Sequence, residues 1–150
     1  MKTADFFQFQ GDGRISIARS APRKISGYNV YRKLAPGSWF RSVDYEEYVR
    51  RYSAQLADLD PQATWEHLVN ITGPHEPVLL CWERTPLTAD NWCHRRLVAR
   101  WFQEHLGHEV EEIGQGMVDE CGRSLLGTDE PERKEERRLE NSRHNRYERE

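Results

Sequence analysis

The chain has 150 residues, which suits one compact domain and leaves little room for two. A net charge of -3 excludes a generally basic nucleic-acid coat protein, and no apolar run approaches the ~20 residues that span a bilayer. No secretory signal opens the chain, and its three cysteines are an odd number. We therefore expect a cytoplasmic protein that contacts no membrane and has no disulfide framework.

The composition changes once, near Gly127. From Asp129 onward nearly every residue is charged or polar, as in the run 132–138. Such a segment has too little apolar surface to offset the entropy lost on ordering. We predict one domain over residues 1–128 and a charged tail over 129–150 that is disordered or partly helical.

Strand and helix patterns alternate along the first half of the domain. The β-branched run 15–19 predicts a strand, whereas the segment 24–40 shows no period and predicts a long loop. Apolar residues recur at helical spacing over 45–59. Asp60 followed by proline predicts the start of a second helix, which ends at Gly73. The buried stripe of this second helix is predicted to be Trp65, Leu68 and Val69.

The second half of the domain adds a strand, a helix and a weaker strand. The run 77–82 is almost continuously apolar, which is typical of a strand covered on both faces. A helix follows from about Asp90 to Gly107, and the segment 110–113 predicts a final strand. This order predicts an α/β fold with a mostly parallel sheet flanked by helices, in a three-layer, Rossmann-like arrangement.

Polar and reactive side chains follow two of the predicted strands. One strand ends at Arg19 and Ser20, and another ends at Cys81 and Glu83. The helix after Glu83 returns to the same edge, and its first turn carries Cys93, His94 and Arg95. Because ligands of open α/β sheets bind beyond the carboxyl ends of the strands, this edge is the predicted site.

Helical geometry predicts the direction of the side chains in this turn. At about 100° per residue, His94 faces the sheet, Arg95 lies at the border of the buried stripe, and Arg96 and Arg100 point to solvent. Free N–H groups in the first turn favour a thiolate at Cys93. With Arg95, the same groups would bind a phosphate or carboxylate.

Four short motifs resemble the DUF488 family. They are Ile15–Arg19 (I-S-I-A-R), Leu34–Pro36 (L-A-P), Leu80–Glu83 (L-C-aromatic-E) and Cys93–Arg95 (C-H-R). The resemblance extends from residue 14 to about residue 113. It implies an α/β fold with a shared site at these motifs, and it implies no particular reaction, because the family is a domain of unknown function.

We predict a small enzyme that binds an anionic, phosphorylated or nucleotide-like ligand at this edge of the sheet, without a cofactor. His94 would be a general acid or base, and Cys93 a nucleophile or a redox-sensitive neighbour. Glu83 would orient His94 or act as a base. Four residues are predicted to contact the ligand: Arg19, Ser20, Cys81 and Arg95.

Each of these residues also has a structural interpretation. Cys81 can be a small buried hydrophobe, and His94 can be a hydrogen-bonded core histidine. Arg19 and Arg95 can form an ion-pair cluster with Glu83. No metal site is predicted, because no closely spaced Cys pair occurs and adjacent Cys93 and His94 should diverge by about 100° on a helix.

A non-catalytic module that binds nucleic acid or a protein partner is the alternative function. Basic and aromatic residues are interleaved in the segment 14–41, a pattern that can hold single strands by phosphate contact and stacking. The basic ones are Arg14, Arg19, Arg23, Lys24, Arg32, Lys33 and Arg41, and the aromatic ones are Tyr28, Tyr31, Trp39 and Phe40. A third hypothesis, an assembly subunit, requires an exposed apolar patch at Trp39 and Trp92.

Overall fold

The structure, a computed structural model, describes residues 1–114. This part of the chain contains five strands and three α-helices, whose bounds are β1 Lys2–Asp5, β2 Arg14–Ser16, β3 Asn29–Val30, α1 Tyr45–Ala57, α2 Pro61–Thr72, β4 Val78–Cys81, α3 His94–Leu106 and β5 Glu111–Glu112. Two short 3-10 turns lie between β3 and α1. The predicted domain boundary near residue 128 and the predicted tail over 129–150 lie outside the described residues.

All five strands form one parallel sheet in the order β3-β2-β4-β1-β5. The predicted α/β fold with a parallel sheet is therefore confirmed. Strand β4 lies at the centre, where Leu79 pairs with Thr3 of β1 and with Ile15 of β2. The carboxyl ends of β1, β2 and β4 meet at one edge, which is where the site was predicted.

Strand β1 is absent from the sequence-based prediction, although it occupies an inner position in the sheet. Three of its four residues, Lys-Thr-Ala-Asp, are polar, and Thr3 and Asp5 are nevertheless buried. Each has a specific partner: Thr3 Oγ1 donates to Glu112 2.6 Å away, and Asp5 Oδ1 accepts from the backbone N–H of Phe7 at 2.8 Å. Burial of these polar groups is tolerated because they are hydrogen-bonded.

The core consists of two clusters that use alternate residues of the strands. Ile15, Ile17 and Leu79 belong to the first cluster, to which all three helices contribute. Ala4, Phe6, Val78 and Leu80 belong to the second cluster, which the loop residues Phe9, Ile25 and Leu87 cover. Within residues 1–114, the helices thus pack on one face of the sheet and loops pack on the other, so loops stand where the three-layer prediction has a second layer of helices.

The start of α2 follows the predicted signal, whereas α3 begins at His94 and not at about Asp90 as predicted. Asp44 accepts from the N–H of Glu47 at 2.9 Å to cap α1, and Asp60 accepts from the N–H of Ala63 at 2.7 Å to cap α2. The predicted stripe of α2 is wrong at Val69, which is 38% exposed. The helix buries Thr64 and Thr72 instead, which turns its packed face away from Val69.

The predicted loop over 24–40 contains the two-residue strand β3 and the first 3-10 turn. No helix of the described residues combines the length and the apolar character needed to cross a membrane.

Candidate functional site

A cavity of about 620 Å³ opens at the carboxyl edge of the sheet. Residues from β4, from the N-terminus of α3 and from the loops after β2 and β4 line it. Six of the seven predicted site residues are in its lining: Arg19, Ser20, Cys81, Glu83, Cys93 and His94. The cavity therefore lies at the edge of the sheet where the site is predicted.

His94 is the first residue of α3 and is buried, as predicted from the helical angle. Its Nε2 lies 2.9 Å from the carbonyl oxygen of Ile17 at the end of β2. A carbonyl only accepts, so Nε2 carries a hydrogen and donates it. The other ring nitrogen, Nδ1, lies 3.6 Å from the sulfur of Cys81 and 3.8 Å from the sulfur of Cys93. The imidazole is thus held with Nδ1 directed at two thiols.

Cys93 is the N-cap residue of α3, with the extended backbone angles φ -142° and ψ 142°. The prediction that it lies in the first helical turn is wrong by this one position. The expected divergence of about 100° applies only to two helical residues, so it fails here. As a result, Cys93 Sγ, Cys81 Sγ and a ring nitrogen of His94 all lie within 4.8 Å of one another.

The acidities of Cys93 and His94 shift in opposite directions. Burial opposes ionisation of Cys93, but the hydrogen bond from the Cys81 thiol and the charges of His94 and Arg95 outweigh it, so the pKa of Cys93 lies well below its ordinary value. Burial disfavours the charged imidazole as well. The negative charge and hydrogen bond of Cys93 nevertheless raise the pKa of His94. The pair therefore favours a thiolate beside an imidazolium.

Cys81 and Glu83 become weaker acids in the same environment. Burial and the neighbouring Cys93 raise the pKa of the Cys81 thiol well above its ordinary value. Burial and the negative charge of Cys93 raise the pKa of Glu83. Glu83 Oε2 is buried and has no hydrogen-bond partner among the described residues. The site thus contains one sulfur that ionises readily and one that does not.

Arg19 and Arg41 line the exposed part of the cavity, and both contact the ring of Phe40. Their guanidinium carbons lie 5.8 Å and 5.1 Å from the centre of the Phe40 ring. Arg19 Nη1 also donates to the carbonyl oxygen of Pro36 at 2.9 Å. Ser20 contributes its backbone carbonyl, which accepts from the indole Nε1 of Trp82 at 2.6 Å. Two cationic groups are therefore available to a ligand that enters this cavity.

Arg95 is the predicted ligand-binding residue that the structure places elsewhere. Its side chain is fully buried, is not in the cavity lining, and donates from Nη2 and Nε to Glu112 at 2.8 and 2.9 Å. From the sequence alone, the expected partner of Arg95 is a bound ligand or Glu83. Glu112 could not be predicted as its partner, because Glu112 lies on β5 and only the tertiary fold brings β5 next to α3. Arg96, predicted to point to solvent, donates to the carbonyl of Val110 at 2.9 Å and is half-buried.

Tyr48 is a lining residue that sequence reasoning counted only as part of an apolar stripe. Burial, and then the negative charge of Cys93, raise the pKa of Tyr48 above its ordinary value, so its hydroxyl remains a donor. The available signal was the polar end of a tyrosine within an otherwise apolar face of α1. Trp92 also lines the cavity, and its ring centre lies 4.4 Å from that of Tyr48.

Comparison with protein families matches residues 13–102 to the family described as domain of unknown function DUF488. This range includes the Cys81, Glu83, Cys93 and His94 positions. No curated protein and no solved structure gives a significant match to the chain.

Proposed function

The chain belongs to the DUF488 family, and we propose that it is a small enzyme that acts on an anionic, phosphorylated or nucleotide-like molecule bound in this cavity. One observation carries the proposal. The buried part of the cavity lining combines two thiols and an imidazole, while its exposed part carries the guanidinium groups of Arg19 and Arg41. Reactive groups and an anion-binding group thus face one volume.

Cys93 is the proposed nucleophile, and His94 is the proposed acid and base. The thiol proton passes from Cys93 to Nδ1 of His94, and the sulfur forms a bond to an electrophilic atom of the substrate. The bond to the leaving group breaks, and the same proton passes from Nδ1 to that group. The Ile17 carbonyl supports this role because it binds Nε2 and keeps Nδ1 directed at the sulfur.

Glu83 and Cys81 have supporting roles in this proposal. The raised pKa of Glu83 and its buried Oε2 make its carboxyl group a candidate proton donor or acceptor next to the reacting atoms. Cys81 also contacts Nδ1, at 3.6 Å, and its thiol helps to lower the pKa of Cys93. Arg19 and Arg41 would hold the anionic group of the substrate by charge-assisted hydrogen bonds.

Alkylation at one fixed pH tests this function without knowledge of the substrate. The iodoacetate preference is the rate of alkylation by iodoacetate, an anion, divided by the rate of alkylation by neutral iodoacetamide. We expect this ratio to be higher for Cys93 than for free glutathione. Attraction to a partly exposed guanidinium contributes up to about 1 kcal/mol, or about fivefold in rate. The measurement uses chelator-treated protein with Cys121→Ser, and mass spectrometry locates the modified cysteine.

Matched variants separate the anion-binding role from general reactivity. Combined Arg19→Ala and Arg41→Ala should return the iodoacetate preference to the glutathione value. Lys33→Ala removes an exposed cation outside the cavity lining and should leave the preference unchanged. An unreactive Cys93, or a preference equal to that of glutathione in the unaltered chain, contradicts the proposed function.

The alternative, a nucleic-acid-binding role for residues 14–41, has weaker support. Its aromatic side chains are engaged within the fold: Tyr28 packs on Phe6, and Trp39 packs on Tyr48. Trp39 and Trp92 also contact the first core cluster, which weakens the case for an exposed assembly patch. A salt-dependent gel shift with single-stranded DNA or RNA that survives Cys93→Ser would favour the alternative.

A further inference from the structure

We propose that Cys81, Cys93 and His94 also form a binding site for one zinc ion, with the fourth coordination position open to the cavity. The three residues come from two elements: Cys81 ends β4, and Cys93 and His94 begin α3. Two sulfurs and one imidazole nitrogen form a ligand set that zinc accepts. Three protein ligands and one open position are typical of a zinc ion that is accessible to small molecules.

The distances match the edges of a zinc tetrahedron. With Zn–S bonds of about 2.3 Å and Zn–N bonds of about 2.0–2.1 Å, a sulfur and a nitrogen ligand lie about 3.6 Å apart. The separations from His94 Nδ1 are 3.6 Å to Cys81 Sγ and 3.8 Å to Cys93 Sγ. Both sulfur–nitrogen separations are therefore close to those of a zinc site, and the two sulfurs lie within 4.8 Å of each other.

The contact of His94 with Ile17 supports the same inference. A metal-binding histidine usually donates its other ring N–H to a carboxylate or a backbone carbonyl, which orients the ring. His94 Nε2 donates to the Ile17 carbonyl at 2.9 Å. This leaves the lone pair of the neutral ring on Nδ1, the atom nearest both sulfurs.

Charge balance also favours an ion at this position. Two thiolates and a neutral imidazole neutralise Zn²⁺, so a buried ion carries no net charge. Arg95 already has Glu112 as its partner and does not need the thiolates for neutralisation. Glu83 Oε2, which has no hydrogen-bond partner in residues 1–114, is available to accept from a water molecule at the fourth position.

The metal site uses the same Cys93 sulfur as the proposed enzyme. A sulfur bound to zinc is not a free nucleophile, so the loaded and the metal-free protein should differ in their reaction with alkylating agents. The two proposals therefore have separate tests. Metal titration tests the site described here, and the iodoacetate preference of chelator-treated protein tests the proposed function.

Cobalt and zinc titrations of the full chain test the metal site. We expect the chelator-treated protein to bind one Co²⁺ per chain, with the visible bands of a tetrahedral ion and a thiolate-to-cobalt charge-transfer band of the strength expected for two sulfurs. Zinc should displace the cobalt stoichiometrically and protect Cys93 from iodoacetamide. This measurement needs no substitution, so it does not depend on the folding of any variant.

Substitutions then assign the ligands. Cys81→Ser, Cys93→Ser and His94→Gln should each weaken zinc binding at least tenfold, with circular dichroism used to confirm that each variant is folded. Cys121→Ser and His75→Ala are the matched controls and should bind as the unaltered chain does; His75 is exposed and precedes the amino end of β4, whereas the site lies at the carboxyl end of this strand.

Three results would overturn the metal site: an octahedral cobalt spectrum without a charge-transfer band, binding that persists in Cys93→Ser, or binding that is lost in Cys121→Ser. Each leaves the iodoacetate result unaffected. Conversely, tight zinc binding with an unreactive Cys93 in the metal-free protein supports the metal site and contradicts the proposed nucleophile.

Discussion

The Arg95 guanidinium and the Glu112 carboxylate form a buried ion pair with two donors, at 2.8 and 2.9 Å. Thr3 donates to the same carboxylate at 2.6 Å. Such a pair stabilises little against an apolar replacement, but losing one member leaves a buried charge without a partner. Arg95 is therefore important for stability. Its geometry does not support the ligand-binding role that is expected from the sequence.

Arg95→Ala should lower the free energy of unfolding by about 3–5 kcal/mol, because Glu112 is left buried and unpaired. Removing both partners should cost less than the sum of the two single substitutions. Urea denaturation measures both effects. Arg100→Ala, on the exposed side of the same helix, should stay within about 0.5 kcal/mol of the unaltered chain. An equally small change in the free energy of unfolding for Arg95→Ala would show that the ion pair contributes little to stability.

Glu47 on the surface of α1 provides a test of pH dependence. Hydrogen bonds from Arg50, and then from Arg51, lower the pKa of Glu47 to about 2. Because the pKa of Glu47 is lower in the folded than in the unfolded chain, the ionised carboxylate stabilises the fold at any pH above the unfolded pKa. This contribution is lost as the pH falls through about 2. NMR titration of the side chain should show this value. Arg50→Ala with Arg51→Ala should return it towards the ordinary range, and no change would contradict the assignment.

Single glycines set the geometry where elements begin and end. Gly13, just before β2, has φ +83°, and its carbonyl accepts from the N–H of Val78 at 2.8 Å. A Cβ at this position would lie 2.1 Å from the carbonyl oxygen of Glu76. Gly73, after α2, has φ +60° but open space around the Cβ position. The two positions thus share the positive φ and differ in steric freedom.

Substitution of these glycines by alanine should separate the free-energy cost of the positive φ from the cost of the steric clash. Gly73→Ala should lose about 1–3 kcal/mol of stability, because φ +60° with ψ -123° is a backbone conformation that L residues rarely adopt. Gly13→Ala should lose at least about twice that amount, because the Glu76 backbone must also move. Thermal and urea unfolding measure the difference. Equal losses would indicate that the β2–β4 connection adapts without cost.

At the scale of the whole molecule, the sheet is more protected at its centre than at β3. Leu79 and Leu80 of β4 are fully buried and have paired strands on both sides. Asn29 and Val30 of β3 are exposed. The carboxyl ends of the central strands hold the sulfur of Cys81 and the Ile17 carbonyl, so the site is built on the most protected part of the fold.

Amide hydrogen exchange should reflect this difference. The amides of Leu79 and Leu80 should exchange only on global unfolding, whereas those of Asn29 and Val30 should exchange through local opening, at least about tenfold faster. NMR or mass spectrometry of native-state exchange measures both sets. Equal protection of β3 and β4 would contradict the expected hierarchy.

Much of the fold could be read from local patterns. The apolar period of α1, the Asp60 cap and the continuous apolar run of β4 are each contained within a few residues, and the structure confirms all three. The cavity was predictable for the same reason, because the ends of parallel strands meet at one edge. Strand β1 was not, because its polar Thr3 and Asp5 carry no local sign of burial.

The sequence by itself indicated which residues are near the cavity: Cys81 at the end of β4, and Glu83, Cys93 and His94 after it. Only the tertiary structure decided what these groups contact. Arg95 and Glu112 are 17 positions apart, and Thr3 and Glu112 are 109 apart, so no local pattern predicts these contacts. Likewise, one residue of extended backbone at Cys93 turned a predicted divergence into convergence with His94. Side-chain direction depends on backbone angles and on distant partners, whereas composition and spacing describe only short stretches of chain.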